Sequence, residues 1–170
     1  MPLLPEGRYP RPRPSWRLTL KRFVITFFAS FAYAGFFPIA PATFASFIWA
    51  ALWVFIPGGR FLCGPIALVI AIPIAIYLAN EGEKSLGRDA HPIVVDEIVG
   101  MQVTLLMIEP SLVAAAIGFV LFRIFDILKP FPAGRAQRLP GGLGVVADDV
   151  AAGLYARLIL LGLSFLFHVG

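Results

Sequence analysis

Asp96, Glu97, Asp126, Asp148 and Asp149 each lie within, or at the edge of, a long apolar run. Carboxylates in such places hold hard cations, move protons or balance buried bases. An ionised carboxylate in hydrocarbon costs roughly 3 kcal/mol on insertion scales, so five of them call for a shared cation, basic partner or watery cavity. Two or three acids at one depth, with water, suit Mg²⁺, which takes oxygen ligands and often completes its shell with phosphate. Zinc is disfavoured, because Cys63 is the only cysteine and His91 and His168 stand far apart in the chain. For any single acid the competing role is helix capping: Asp96, Glu97, Asp148 and Asp149 fall near expected helix starts, where negative charge is favoured. The whole set at one face favours a cation site.

Arg123, Asp126 and Lys129 follow one another at spacings of three, and so share one helix face. They form either a structural ion pair that neutralises Asp126 or an anion-binding edge beside the cation. Arginine offers a bidentate fork to phosphate and lysine a point charge. Arg157, two turns beyond Asp149, would balance the acidic pair or contact a lipid, the neutralising role ranking higher. Thr43 and Ser46, in PATFAS, stand at an expected helix start, where free N–H groups favour phosphate and Thr43 can serve as N-cap. Gly100 and Gly153 lie one turn from the acids and let helices approach closely. GGLG, residues 141–144, reads as a flexible entry to the last helix.

The elements that must position these residues are membrane helices. The 170 residues are 59% hydrophobic and 14% charged, against about 25% charged for a soluble domain, and the mean hydropathy is +0.85. A single disulfide within the chain is excluded by the lone cysteine. Residues 1–15 read as a basic Pro/Arg-rich arm, and 16–170 as one membrane-embedded domain. A cleaved signal peptide fits poorly with the proline-rich basic lead. Spans are expected at 61–79 (kinked at Pro73), 93–108, 112–128 and 145–168, with a further helix from Thr43 to Ile56. Polar connections are expected at 80–92 and 129–144, and a tight turn at Glu109–Pro110.

Antiparallel spans then place Asp96, Asp126 and Asp148 at one membrane face. Lys129, Arg135 and Arg138 lie there too, whereas the opposite turns carry Arg60 and Glu109. The positive-inside rule makes the acidic face cytoplasmic. With the basic N-terminus on the same side, segment 16–42 should be re-entrant or interfacial. The expected fold is an all-α polytopic transmembrane bundle with about five crossings.

Four blocks carry a resemblance: PIAPATFAS (38–46), VVDEIVGMQVTL (94–105), FRIFDILKPFP (122–132) and GGLGVVADDVAAG (141–153). Together, and in this order, they resemble the phosphatidylglycerophosphatase A family from Phe36 to about Leu160. The family pattern is similar to P-G-T-x-G-S where this chain has Ala42 and Ala45. The resemblance implies a Mg²⁺-dependent lipid phosphatase of the bacterial inner membrane, which hydrolyses phosphatidylglycerol phosphate to phosphatidylglycerol and inorganic phosphate. Its expected partners are phospholipids, not nucleic acid. On that basis the metal would be held by a subset of Asp96, Glu97, Asp126, Asp148 and Asp149, and Glu97 or Asp149 would act as general base. Asp126 is grouped with them in catalysis. Arg123, Lys129, Arg135, Thr43 and Ser46 would bind the phosphate. A cation- or proton-coupled transporter is the alternative, but it would want acids spread through the membrane depth and inverted repeats. A CDP-alcohol phosphatidyltransferase-like enzyme would want a D-G-x-x-A-R run, which is absent, and a scaffold would have no use for the acids.

Overall fold

The computed structural model describes the backbone of residues 15–87 and 90–167. The N-terminal arm up to residue 14, Arg88, Asp89 and His168 lie outside the described residues. All the regular structure described is helical: α1 Ser15–Ala29, α2 Pro41–Phe55, α3 Pro65–Leu86, α4 Val95–Thr104, α5 Leu112–Leu128, α6 Ala133–Ala136 and α7 Gly142–Phe167.

The helix ends follow local chemistry. Proline opens α2 and α3 at the first helical position, where its missing N–H leaves nothing unsatisfied. Ser111 caps α5 by accepting the Ala114 N–H at 3.1 Å, and Lys129 closes that helix in the left-handed conformation. Before α2 the chain turns through left-handed Phe31, Ala32 and Tyr33 and a short 3₁₀ turn at Ala34–Phe36. Segment 16–42 is therefore one helix followed by irregular backbone. Helix α2 begins on Pro41, with left-handed Ala40 before it. This corrects the expected cap: Thr43 sits in the first turn.

Three boundaries differ from the sequence expectation. The polar stretch after Ala79 continues α3 to Leu86, because Asn80, Glu81, Glu83 and Lys84 are good or tolerated helix residues with polar partners. Asn80 Oδ1 accepts the Gly142 N–H at 2.8 Å. Glu81 pairs with Lys21 of α1 and with Lys84, each at 2.5 Å. The helix runs unbroken through Pro73. Second, α7 starts at Gly142 rather than Val145. Gly141 takes φ 57°, and a Cβ on Gly142 would lie 2.5 Å from the Ile76 carbonyl. GGLG is thus a close crossing over α3, not a flexible entry. Third, the expected span at 93–108 contains only the ten helical residues of α4, about 15 Å long, and its closing turn falls at Leu105–Met107 instead of Glu109–Pro110.

Helix α4 is the centre of the bundle. Asp96 through Thr104 are all buried, with α2, α3, α5 and α7 packed around them. Glycine sets the closest contact. A Cβ on Gly153 would lie 2.5 Å from the Gly100 carbonyl, and one on Gly100 would lie 2.3 Å from the Phe122 ring. Gln102 Nε2 donates to the Leu62 carbonyl at 2.8 Å below it. Arg157 donates to the Leu106 carbonyl. That overturns its expected pairing with Asp149: it satisfies backbone at the opposite end of α4. Arg60 and Glu109 meet at 3.5 Å beyond that end, as the antiparallel arrangement requires.

Helix α3 is long and apolar enough to cross a membrane, and α2 is a shorter apolar helix.

Candidate metal and phosphate site

A cleft of about 840 Å³ opens where α4 begins and α5 ends. Each wall has a local cause. The Val94 N–H donates to the Ala29 carbonyl at 3.0 Å, pinning the entry of α4 to the end of α1. The first turn of α4 then brings Asp96 and Glu97 into the cleft. The last turns of α5 bring Arg123 and Asp126, and Lys129 follows at its C-cap. Because α7 starts early, Asp148 and Asp149 lie well inside it, which removes helix capping as their role. Their depth matches that of α4 because Gly153 allows the two backbones to touch.

Glu97, Asp126 and Asp149 each present a carboxylate oxygen within 4.8 Å of the others. One guanidinium serves two of them: Arg123 Nη1 lies 2.6 Å from Glu97 Oε2 and 3.2 Å from Asp126 Oδ2. Ser46 Oγ donates to the Ala42 carbonyl at 2.9 Å and approaches Glu97 Oε2 at 3.3 Å. Lys129 Nζ meets Asp148 Oδ2 at 2.5 Å, so Asp148 is neutralised outside the triad. Asp149 Oδ2 and Asp96 Oδ1 are buried without a hydrogen-bond partner. Three carboxylates against one guanidinium, with orphaned buried oxygens, leave a surplus of negative charge that a buried site tolerates poorly. The donor set is all oxygen, and so fits a hard divalent cation.

The opposite wall is the start of α2. Pro41, Ala42 and Thr43 line the cleft, and the first intrahelical N–H bond there is from Phe44 to the Ala40 carbonyl, at 3.0 Å. The Ala42 and Thr43 N–H groups precede it and lack intrahelical acceptors. Neither Ala42 nor Ala45 has a positive φ, so alanine is accommodated at both positions.

All five acids, Arg123, Lys129 and Thr43 therefore line one cleft. Ser46 stands behind it, against Glu97. Arg135 does not line it; its guanidinium lies 4.9 Å from the Phe131 ring centroid. The loop residues Ala90–Ile93, and Gln137, were not anticipated as cleft residues. His91 was weighed only as a zinc ligand, the other types mark nothing, and the folding of two loops over the acids brings these residues there.

The sequence model of a protein family described as phosphatidylglycerophosphatase A matches residues 27–164. A protein of Bacteroides thetaiotaomicron, named provisionally as a phosphatidylinositol-3-phosphatase, is 40% identical over 137 residues, covering 75% of this chain and 85% of that protein. Phosphatidylglycerophosphatase A of Escherichia coli is 34% identical over 132 residues, covering 75% and 76%. The Haemophilus influenzae protein of the same name is 39% identical over 98 residues, covering 54% and 58%. No solved structure matches.

Proposed function

This chain belongs to the phosphatidylglycerophosphatase A family and is a phosphoric monoester hydrolase, and from that premise we propose that it removes the terminal phosphate of phosphatidylglycerol phosphate with Mg²⁺, at the cytoplasmic face of a bacterial inner membrane. The observation that carries the reading is the acidic triad beside Arg123 in a cleft at one end of an apolar-surfaced bundle.

Membrane embedding is supported by the outer surface. Ile66 and Val69 of α3 are 77% and 71% exposed, and Val113, Ile127 and Leu158 are also exposed. Five crossings follow if α2, α3, α5 and α7 span and segment 93–108 crosses as a half-length helix. Irregular backbone at its end finds a protein partner, the Met107 N–H donating to the Cys63 carbonyl at 3.1 Å.

Glu97, Asp126 and Asp149 would hold the cation, which supplies Lewis-acid polarisation of a phosphoryl oxygen and orients water. The protein groups do the rest. Arg123 holds Glu97 and Asp126 in register and directs its remaining donors at the phosphate. Lys129 and the N–H groups at the start of α2, with the Thr43 hydroxyl, neutralise phosphate charge. Asp96, outside the triad and with Oδ1 unpartnered, takes the proton from the attacking water. This moves the base from Glu97, whose Oε2 is committed to Arg123 and Ser46, and from Asp149, which is assigned to the cation with the triad. Ser46 positions Glu97, and Arg135 has no part in binding the phosphate.

The B. thetaiotaomicron relative motivates a second substrate, a phosphatidylinositol 3-phosphate. The test is phosphate release from both lipids in detergent micelles, with and without EDTA. Metal-dependent release from phosphatidylglycerol phosphate is expected. Release from the inositol lipid alone would transfer the activity to that substrate, and no release from either would sink the proposal.

A further inference from the structure

An apolar track leaves the acid cleft and runs between α2 and α5. Its first stretch, about 360 Å³, shares Phe37 and Thr43 with the cleft. Its second, about 310 Å³, shares Phe47 and Phe119 with the first and is lined wholly by apolar residues. Ala50 and Ala51 of α2, with Ala115 and Ala116 of α5, leave the room for it. Phe47 and Phe119 meet edge to face across the track, 6.2 Å between ring centroids.

We infer that this track seats one acyl chain of the lipid whose phosphate lies among the acids. The inference rests on the proposed phosphomonoester lipid and adds a subsite to it. Three observations carry it. The track adjoins the cleft through shared Phe37, Ala40 and Thr43, so a phosphate at Arg123 and an apolar chain along α2 lie within reach of one ligand. From Thr43 to Val54 the track follows α2 for about 16 Å, close to the ~15 Å that is half a hydrocarbon core. That is the depth of one leaflet's chains. The Phe47–Phe119 contact obstructs a helix, roughly 10 Å across, whereas a polymethylene chain is the slimmest occupant a lipid offers. A second copy of this protein therefore fits the track poorly.

Lipid tails in the bilayer are as apolar as the track, so seating a chain there contributes position rather than affinity. It fixes the phosphate relative to the acids, which is where rate is gained. Blocking the track should thus penalise long-chain substrates and spare those too short to reach it.

The experiment uses full-length protein in micelles. Ala116 is exposed and Ala51 half-buried, so a ring at either position fills the track without entering the core. Ala116→Phe and Ala51→Phe are expected to lower kcat/KM on dipalmitoyl phosphatidylglycerol phosphate by roughly tenfold or more, leaving the dihexanoyl substrate unchanged. Equal losses on both, or none on either, would overturn the track. A photoreactive phosphatidic acid, with its diazirine on the acyl chain, reads occupancy without turnover. Labelling should concentrate on residues 47–55 and 115–120 and disappear in Ala116→Phe. Labelling spread equally over the outward residues of α3 would overturn it. Concentrated labelling in a protein inactive on phosphatidylglycerol phosphate would support the track and refute only the proposed substrate.

Discussion

Asp96 and Asp149 are both buried with an orphaned oxygen, yet only Asp149 shares the triad. Their asparagine variants should therefore fail differently. Asp149→Asn is expected to abolish activity and raise the Mg²⁺ concentration needed for any that remains. Asp96→Asn should lower kcat by about 10²–10⁴-fold with the Mg²⁺ requirement little changed. Titrating metal in a phosphate-release assay separates them, and identical profiles would remove the division of labour proposed. The acids were legible in the sequence because their placement in apolar runs is energetically anomalous. Their partners were less so. The i, i+3 spacing correctly joined Arg123 to Asp126, but the stronger contact of Arg123 to Glu97 crosses between helices. Likewise Arg157 was assigned a charge when its neighbour is a backbone carbonyl. Sequence shows that a buried base needs an acceptor, not which acceptor the packing brings.

Among the elements, α5 matches its expected bounds to the residue, and the structure shows Ser111 capping its start and Lys129 closing its end. The start of α7 was missed. Glycine usually signals a loop, but at Gly142 it permits a helix to lie against the backbone of α3. Gly100 and Gly153 were understood correctly as close-packing positions, and they support a quantitative test. Gly153→Ala places a methyl 2.5 Å from the Gly100 carbonyl, and overpacking of this kind typically costs 1–3 kcal/mol, or about that here. Lower thermal stability is expected together with reduced activity, because the shift separates Asp149 from Glu97. Activity retained at full level in a destabilised protein would show that the acids do not depend on this contact. The short length of α4 had no sequence signal. An apolar run of the right length can be half helix and half turn, and periodicity alone does not separate them.

For the whole molecule, the cluster of like charges predicts linkage between cation and fold. A divalent ion that binds the folded chain stabilises it by RT ln(1 + [L]/Kd), about 2.7 kcal/mol at a hundredfold excess over Kd. Mg²⁺ should raise Tm, EDTA should reverse the rise, and Asp149→Asn should show little of it. A Tm indifferent to Mg²⁺ in the wild-type protein would argue against the cation site independently of any assay. The all-helical architecture and the one-ended grouping of acids were accessible from composition and span order. The cleft was not, since two loops and an early helix start complete it.

The central placement of α4 has a bearing on the lipid environment. Bilayers differ in thickness, and spanning helices answer by tilting. Helix α4 has its neighbours, not lipid, on nearly every side, and hydrogen bonds hold its far end to Leu62 and Arg157. If the outer helices span the bilayer as proposed, they can lean while the segment bearing Asp96 and Glu97 keeps its place, which would suspend the acids within the protein and shield them from the mechanics of the membrane.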